Sequence, residues 1–196
     1  MDIGHRIDNN FKPAFYGCHL PFVGGDHHII STQATGVLLF AQAALGGLFM
    51  VFRRRADITA PFWVEAIAWL SACLPLVFFV AVSRTAFWIG LLPVPGLALN
   101  LWALASLGID FGIAPAHRSL VTQGPYHWLR HPMYAGELLS LVGGLISAFG
   151  IWNAIVFLVF TATIMWRITE EEKILRKTGY AAYAGLVKWR LVPGIW

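Results

Sequence analysis

The sequence predicts an all-α integral membrane bundle of five transmembrane helices, with a polar, cytosolic pocket formed by its C-terminal half. Three observations carry that prediction. The 196 residues are 58% hydrophobic and only 12% charged, with a mean hydropathy of +0.65. Soluble domains carry roughly 25% charged residues, so half that charge requires a solvent other than water for much of the surface. The apolar residues fall into five long runs, and the basic residues cluster beside those runs. A net charge of +4 placed in this way reads as membrane topology and not as a nucleic-acid-binding surface.

Residues 1–28 form a polar arm, with Asp2, Arg6, Asp8, Asn9, Asn10 and Lys12 ahead of any long apolar stretch. No basic region leads into an apolar core, so the arm does not read as a signal peptide. Cys18, His19, Asp26, His27 and His28 follow no metal-ligand spacing, and the expectation is an ordinary polar arm. The two cysteines, Cys18 and Cys73, make no disulfide framework, and Cys73 is expected to be buried in an apolar run.

Residues 29–107 hold the first three spans. Ile29–Phe52 ends at Arg53-Arg54-Arg55, Phe62–Val82 follows, and Ala86–Leu107 carries Pro93, Pro95 and Gly96, which predict a kink. Residues 108–196 hold the rest, with spans at Met133–Phe149 and Trp152–Ile168 joined by a short turn at Gly150. A span needs roughly 20 apolar residues, so the last two are at the short end. That turn predicts antiparallel neighbours, with Pro132 and Glu170 at one membrane depth. Gly136, Ser140, Gly144 and Ala148 recur every four residues and predict a face of close helix approach.

Orientation follows from the basic residues. With the amino terminus outside, Arg53, Arg54, Arg55, Arg118, Arg130, Arg167, Lys173, Arg176, Lys177, Lys188 and Arg190 lie inside, and Arg6, Lys12 and Arg84 outside. Positive-inside bias therefore places the carboxyl terminus in the cytosol.

Two polar clusters interrupt this apolar chain, Leu120–Glu137 and Arg167–Glu172. Polar density at the ends of membrane helices is costly unless it binds something, so the two are expected to form one site. Pro132 fits the first turn of a helix and restricts His131 to an extended conformation. The helix start and Arg130 suit a carboxylate or phosphate. Tyr126, Trp128 and Tyr134 offer flat surfaces, and Gly124-Pro125 a tight turn that positions Tyr126. Arg167 and Glu171 stand four apart on one helical face and are expected to pair when the site is empty. Glu171 and Glu172 can accept hydrogen bonds from an ammonium or from ribose hydroxyls. S-adenosylmethionine carries the matching set of carboxylate, ammonium, sugar and flat base. The alternative reading makes Arg167, Lys173, Arg176 and Lys177 interfacial anchors with Glu170–Glu172 as counter-ions.

His117-Arg-Ser-Leu-Val-Thr-Gln-Gly-Pro-Tyr126, Arg130-His-Pro-Met-Tyr-Ala-Gly136 and Glu171-Glu172 together resemble the isoprenylcysteine carboxyl methyltransferase and phospholipid methyltransferase families. Gly179-Tyr-Ala-Ala-Tyr183 and Val192-Pro-Gly194 resemble the tail of the same families, so the likeness runs from His117 to Trp196. It implies an S-adenosylmethionine-dependent methyltransferase acting on a lipid-like or prenylated acceptor, with carboxyl O-methylation favoured. The implied cofactor residues are His117, Leu120, Val121, Gly124, Tyr126, Arg130, His131, Tyr134, Glu171 and Glu172. Arg167 is implied to handle the acceptor, with Glu171 or His131 as base if the acceptor needs one. Three consecutive glutamates leave the register of the pair open by one residue. No Gly-rich dinucleotide fingerprint supports a Rossmann-type enzyme. Two rivals remain at this level: an NADPH-dependent membrane reductase of the sterol-reductase type, and a non-enzymatic scaffold.

Overall fold

A computed structural model describes residues 25–77, 87–114, 116–117, 119–178 and 180–196. Residues 1–24 of the polar arm, the end of the second span beyond Val77, Arg84, Arg118 and Gly179 lie outside the described residues. The chain is mostly helical. Helix α1 is Gly25–Phe52, α2 Phe62–Cys73, α3 Phe87–Gly90, α4 Val94–Leu107, α5 Pro132–Ser147, α6 Ile151–Leu175 and α7 Tyr180–Leu186. Two-residue strands β1 (Ile58–Thr59) and β2 (Ala116–His117) pair antiparallel, Ile58 opposite His117.

Among the described residues, three stretches are long and apolar enough to cross a membrane: Thr35–Phe52, Trp88–Asp110 and Ile151–Leu175. Phe62–Val77 is apolar but shorter, and α5 has 16 residues. Many large side chains that point outward are apolar; Phe40, Val51, Leu70 and Trp88 are each more than two-thirds exposed. An exposed apolar surface on this scale belongs against lipid. Cys73 shares it, facing outward where burial was expected.

The proline pair does more than kink the third span. Helix α3 stops at Gly90, and α4 restarts at Val94 with Pro95 in its first turn, where a missing N–H costs nothing. Helices α4 and α5 then pack backbone to backbone. A Cβ on Gly96 would lie 2.7 Å from the Gly136 carbonyl oxygen, and one on Gly136 would lie 2.6 Å from the Asn100 nitrogen. A Cβ on Gly143 would lie 2.5 Å from Pro93 nitrogen, and Ser147 Oγ donates to the Ile89 carbonyl at 2.7 Å. The contact row is thus Gly136, Ser140, Gly143 and Ser147, where a strict four-residue row was expected. Four residues overshoot a 3.6-residue turn by about 40°, so alternating steps of four and three hold one face.

Helix α6 is the long element, and it does not stop at Ile168. Its 25 residues span about 37 Å at 1.5 Å each, against a hydrocarbon core of about 30 Å. The surplus carries Glu170, Glu171 and Glu172 on regular helix beyond the apolar section. Inside, Phe160, Ile164 and Ile168 pack with Tyr134 of α5 and Leu191 of the tail. A second cluster joins Ala60, Val64 and Ile174, and a third joins Tyr180, Tyr183 and Val187.

Candidate active site

The first polar cluster folds as a turn, a bridge and a helix start. Gly124 takes φ +61, a left-handed value that suits glycine, and a Cβ there would lie 3.3 Å from Ser106 Cβ on α4. The 3₁₀ turn Gly124–His127 buries Tyr126. Leu129 then bridges Trp189 in parallel, with Arg130 N–H donating to Trp189 O at 2.9 Å and His131 N–H to Arg190 O at 3.0 Å. Pro132 opens α5 as expected. His131 does not reach the extended conformation: at φ −130 and ψ 58 its carbonyl already accepts from Ala135 N–H at 3.1 Å.

Against this helix start lies a partly open cleft lined by Leu107, Asp110, Gly112, Ala114, Tyr126, Arg130, His131, Met133, Tyr134 and Glu171. The two polar clusters meet here. Tyr134 OH donates to Glu171 Oε2 at 3.0 Å, and His131 Nδ1 stands 4.0 Å from the same oxygen. The His131 and Tyr134 rings stack with centroids 5.8 Å apart. Burial, followed by the nearby Glu171 carboxylate, pushes the Tyr126 phenol well above its usual value, so it remains a neutral group.

Glu172, one residue on, faces a different set of partners. Arg190 Nε donates to its Oε1 at 2.9 Å and Arg190 Nη2 to its Oε2 at 2.8 Å. Tyr180 OH donates at 3.1 Å and Arg130 Nη1 at 3.4 Å, and His131 Nε2 lies 3.5 Å away. A carboxylate near a helix C-terminus opposes the dipole, and these cations offset it. Those hydrogen bonds hold the Arg190 guanidinium above its usual value. Arg130 is equally committed. Its Nε donates to Val187 O at 2.6 Å and its Nη2 to Ala184 O at 2.7 Å, capping the C-terminal end of α7. Burial, then the Glu172 carboxylate, raises the Tyr180 phenol; burial pushes Tyr183 up to about 12, and Tyr183 OH donates to Tyr126 O at 2.6 Å. Glu172 is therefore the centre of a clasp that fastens the tail to the Arg-His-Pro turn, where a free acceptor for a ligand had been expected. Arg130, expected to be an open anion fork, commits one N–H from each of its three nitrogens to the same clasp while lining the cleft.

Arg167 departs from its expected pairing with Glu171. Its Nη1 donates to Ser71 Oγ at 3.1 Å and its Nη2 to Ile113 O at 2.6 Å, and its guanidinium lies 5.0 Å over the Tyr134 ring. The side chain is buried, and its Nε has no hydrogen-bond partner. Those partners lie on α2, on the loop after α4 and on α5, and they outcompete a carboxylate on its own helix. Arg167 ends a second, mainly apolar cavity lined by Ala72, Pro75, Phe111, Ile113, Met133, Glu137 and Phe160. Met133 lines both spaces.

Of the residues singled out from sequence, Tyr126, Arg130, His131, Tyr134 and Glu171 line the cleft, and Gly124 shapes the turn behind it. Glu172 lies in the clasp. Leu120 is exposed, Val121 is half-buried, and neither lines the cleft; His117 pairs through its backbone with Ile58. Sequence reasoning missed Asp110 in the cleft and Arg190, Tyr180 and Tyr183 in the clasp. Tyr180 and Tyr183 lay within the tail motif, and Asp110 carried a signal of its own: a lone carboxylate closing an otherwise apolar span.

Residues 88–177, from α3 to just past α6, match the Isoprenylcysteine carboxyl methyltransferase (ICMT) family. The match holds both polar clusters and supports the family resemblance read from the motifs. No curated protein matches the chain. The family and the three long apolar helices together support a methyltransferase located in a membrane.

Proposed function

We propose that this protein, with ICMT-family sequence over residues 88–177, is an integral membrane S-adenosylmethionine-dependent methyltransferase acting on a lipid-like or prenylated acceptor, most readily at a carboxylate oxygen. One observation carries the reading: a polar cleft and an apolar cavity adjoin at Met133, and the Tyr134–Arg167 stack joins a residue of each. A water-soluble cofactor suits the first space and a lipid-like acceptor the second.

The donor set fits the cofactor. Asp110 Oδ1 is a buried polar atom without a hydrogen-bond partner on a residue that lines the cleft, whereas His131 Nε2 lies 3.5 Å from Glu172 Oε1 on the clasp side. Tyr126, His131, Tyr134 and Glu171 would hold the cofactor, while Arg130 and Glu172 keep the turn in place. Bound there, S-adenosylmethionine supplies a methyl group whose bond to sulfur breaks, leaving the pair on sulfur, as an acceptor oxygen bonds to that carbon.

Arg167 would hold an acceptor carboxylate by its unpartnered Nε, an alignment that needs no base. An amine or thiol acceptor would instead pass its proton to Glu171 or to His131. The apolar lining excludes water from the transfer. The orientation with carboxyl terminus and cleft in the cytosol, and five spans in all, complete the proposal from the basic-residue pattern and apolar segments.

Calorimetry on the purified protein tests it. S-adenosylhomocysteine should bind without added metal, and methyl-labelled cofactor should label a prenylated or lipid carboxylate. Binding of NADPH with no response to S-adenosylhomocysteine would replace the proposal with a reductase.

A further inference from the structure

The cleft contains a carboxylate that the family motifs do not include. Asp110 ends the 3₁₀ turn Gly108–Asp110 that follows α4, and lies 61 residues from Glu171 in sequence. Folding brings both carboxylates into the lining of one cleft, with Tyr126 and His131. The two oxygens of Asp110 have different surroundings. Oδ2 accepts the Ser119 hydroxyl, which fixes the rotamer. Oδ1 is buried and has no hydrogen-bond partner. Among the described residues, the cation paired with it is Arg54, whose Nη1 stands 3.6 Å away, beyond hydrogen-bond range, on a side chain that is 53% exposed. A half-exposed pair at that distance is a weak tie.

A buried carboxylate oxygen with no donor is costly, and fixed orientation beside a cleft makes it ready to accept one. Glu172 is the opposite case, because Arg190, Arg130 and Tyr180 already donate to its oxygens. We propose that Asp110, and not Glu172, is the second carboxylate of the cofactor site. With Glu171 it accepts hydrogen bonds from N–H or O–H donors of bound S-adenosylmethionine, its α-ammonium or its ribose hydroxyls. Two carboxylates lining one cleft also favour a ligand that carries ammonium and sulfonium charge. Arg54, paired loosely with Asp110, is then the internal competitor that ligand donors displace. The assignment rests on the methyltransferase reading.

The test is calorimetry on the full-length purified protein with S-adenosylhomocysteine and with 5′-methylthioadenosine, which keeps the ribose and lacks the amino-acid arm. Unfolding midpoints by tryptophan fluorescence run beside it. Asp110→Ala should weaken S-adenosylhomocysteine at least tenfold with an unchanged midpoint. An equal loss for 5′-methylthioadenosine assigns the donor to the ribose, and no loss assigns it to the ammonium; both uphold the site. Affinity for S-adenosylhomocysteine within twofold of wild type would overturn it. If Asp110→Ala lowers the midpoint, Arg54→Gln decides instead. Loss of the competing cation should tighten S-adenosylhomocysteine severalfold, whereas unchanged affinity would make Asp110 structural and end the proposal. Wild-type protein that binds neither compound would instead remove the methyltransferase reading, and this assignment with it.

Discussion

The cleft and the cavity share Met133, yet they are built in opposite ways. The cleft takes Asp110, Tyr126, Arg130, His131 and Glu171 from turns and helix ends, while the cavity takes Ala72, Phe111, Ile113 and Phe160 around two ionisable residues, Glu137 and Arg167. Helix ends leave backbone groups unsatisfied and let several elements share charge, so polar residues can be concentrated there. Along helix bodies a charge must be held by whatever neighbours the packing supplies. Arg167 has the Ser71 hydroxyl, the Ile113 carbonyl and the Tyr134 ring face. Polar chemistry at the ends and one anchored cation in the apolar space suit two ligands of different solubility. Glu172 itself lines neither space, and its clasp fastens the turn that borders the cleft through Arg130.

That division can be broken at its frame. Glu172→Ala removes the shared partner of Arg130 and Arg190, two partly buried cations, and unfastens the tail. Breaking a buried ion pair costs about 3–5 kcal/mol, so this variant should show the largest loss of stability in denaturant titrations followed by tryptophan fluorescence. Both spaces should lose function together. A wild-type midpoint would mean that the tail docks without the clasp.

Arg167→Ala sharpens the comparison by removing the cation of the cavity. Losing one charge-assisted hydrogen bond to an acceptor costs about 1.5–3 kcal/mol, or roughly ten- to a hundredfold in turnover. Affinity for S-adenosylhomocysteine should stay within about threefold of wild type. Arg167→Lys should not restore full turnover, because an ammonium lacks the planar fork. Equal loss of cofactor binding and turnover would merge the two spaces into one site, and full turnover would make Arg167 a packing residue.

The smallest effect is expected at Lys173, whose pair with Glu170 is short, 2.6 Å, but lies on a side chain 67% exposed. Lys173→Ala should change stability by less than about 1 kcal/mol and leave binding and turnover unaltered. A tenfold change in either would extend the site beyond the cleft.

Much of this arrangement was legible from residue chemistry. Pro132 marked the start of α5, Pro93 and Pro95 marked the break before α4, and Gly150 marked the turn between α5 and α6. The end of α6 was not, because falling hydropathy after Ile168 looks like a helix end. Glu and Lys are good helix formers, so the helix continues through them. The glycine face was visible, but its partner was not: α4, not the sequence neighbour α6, is the helix α5 meets backbone to backbone. Arg130, His131, Tyr134 and Glu171 were found from the two polar clusters and the family resemblance, whereas Asp110 reaches the cleft only through the packing of α4 on α5.

Composition and periodicity alone determine that this chain enters a membrane, that its polar residues gather in two clusters, and that a short hairpin brings them to one depth. They say nothing about which of two adjacent glutamates faces which partner. Successive residues on a helix point about 100° apart, so Glu171 and Glu172 cannot face the same space. Tertiary packing resolves the pair: Tyr134 of α5 takes Glu171 into the cleft, and Arg190 of the tail takes Glu172 into the clasp. Sequence supplies the charges, but which group meets which depends on elements that only the folded chain brings within hydrogen-bond reach.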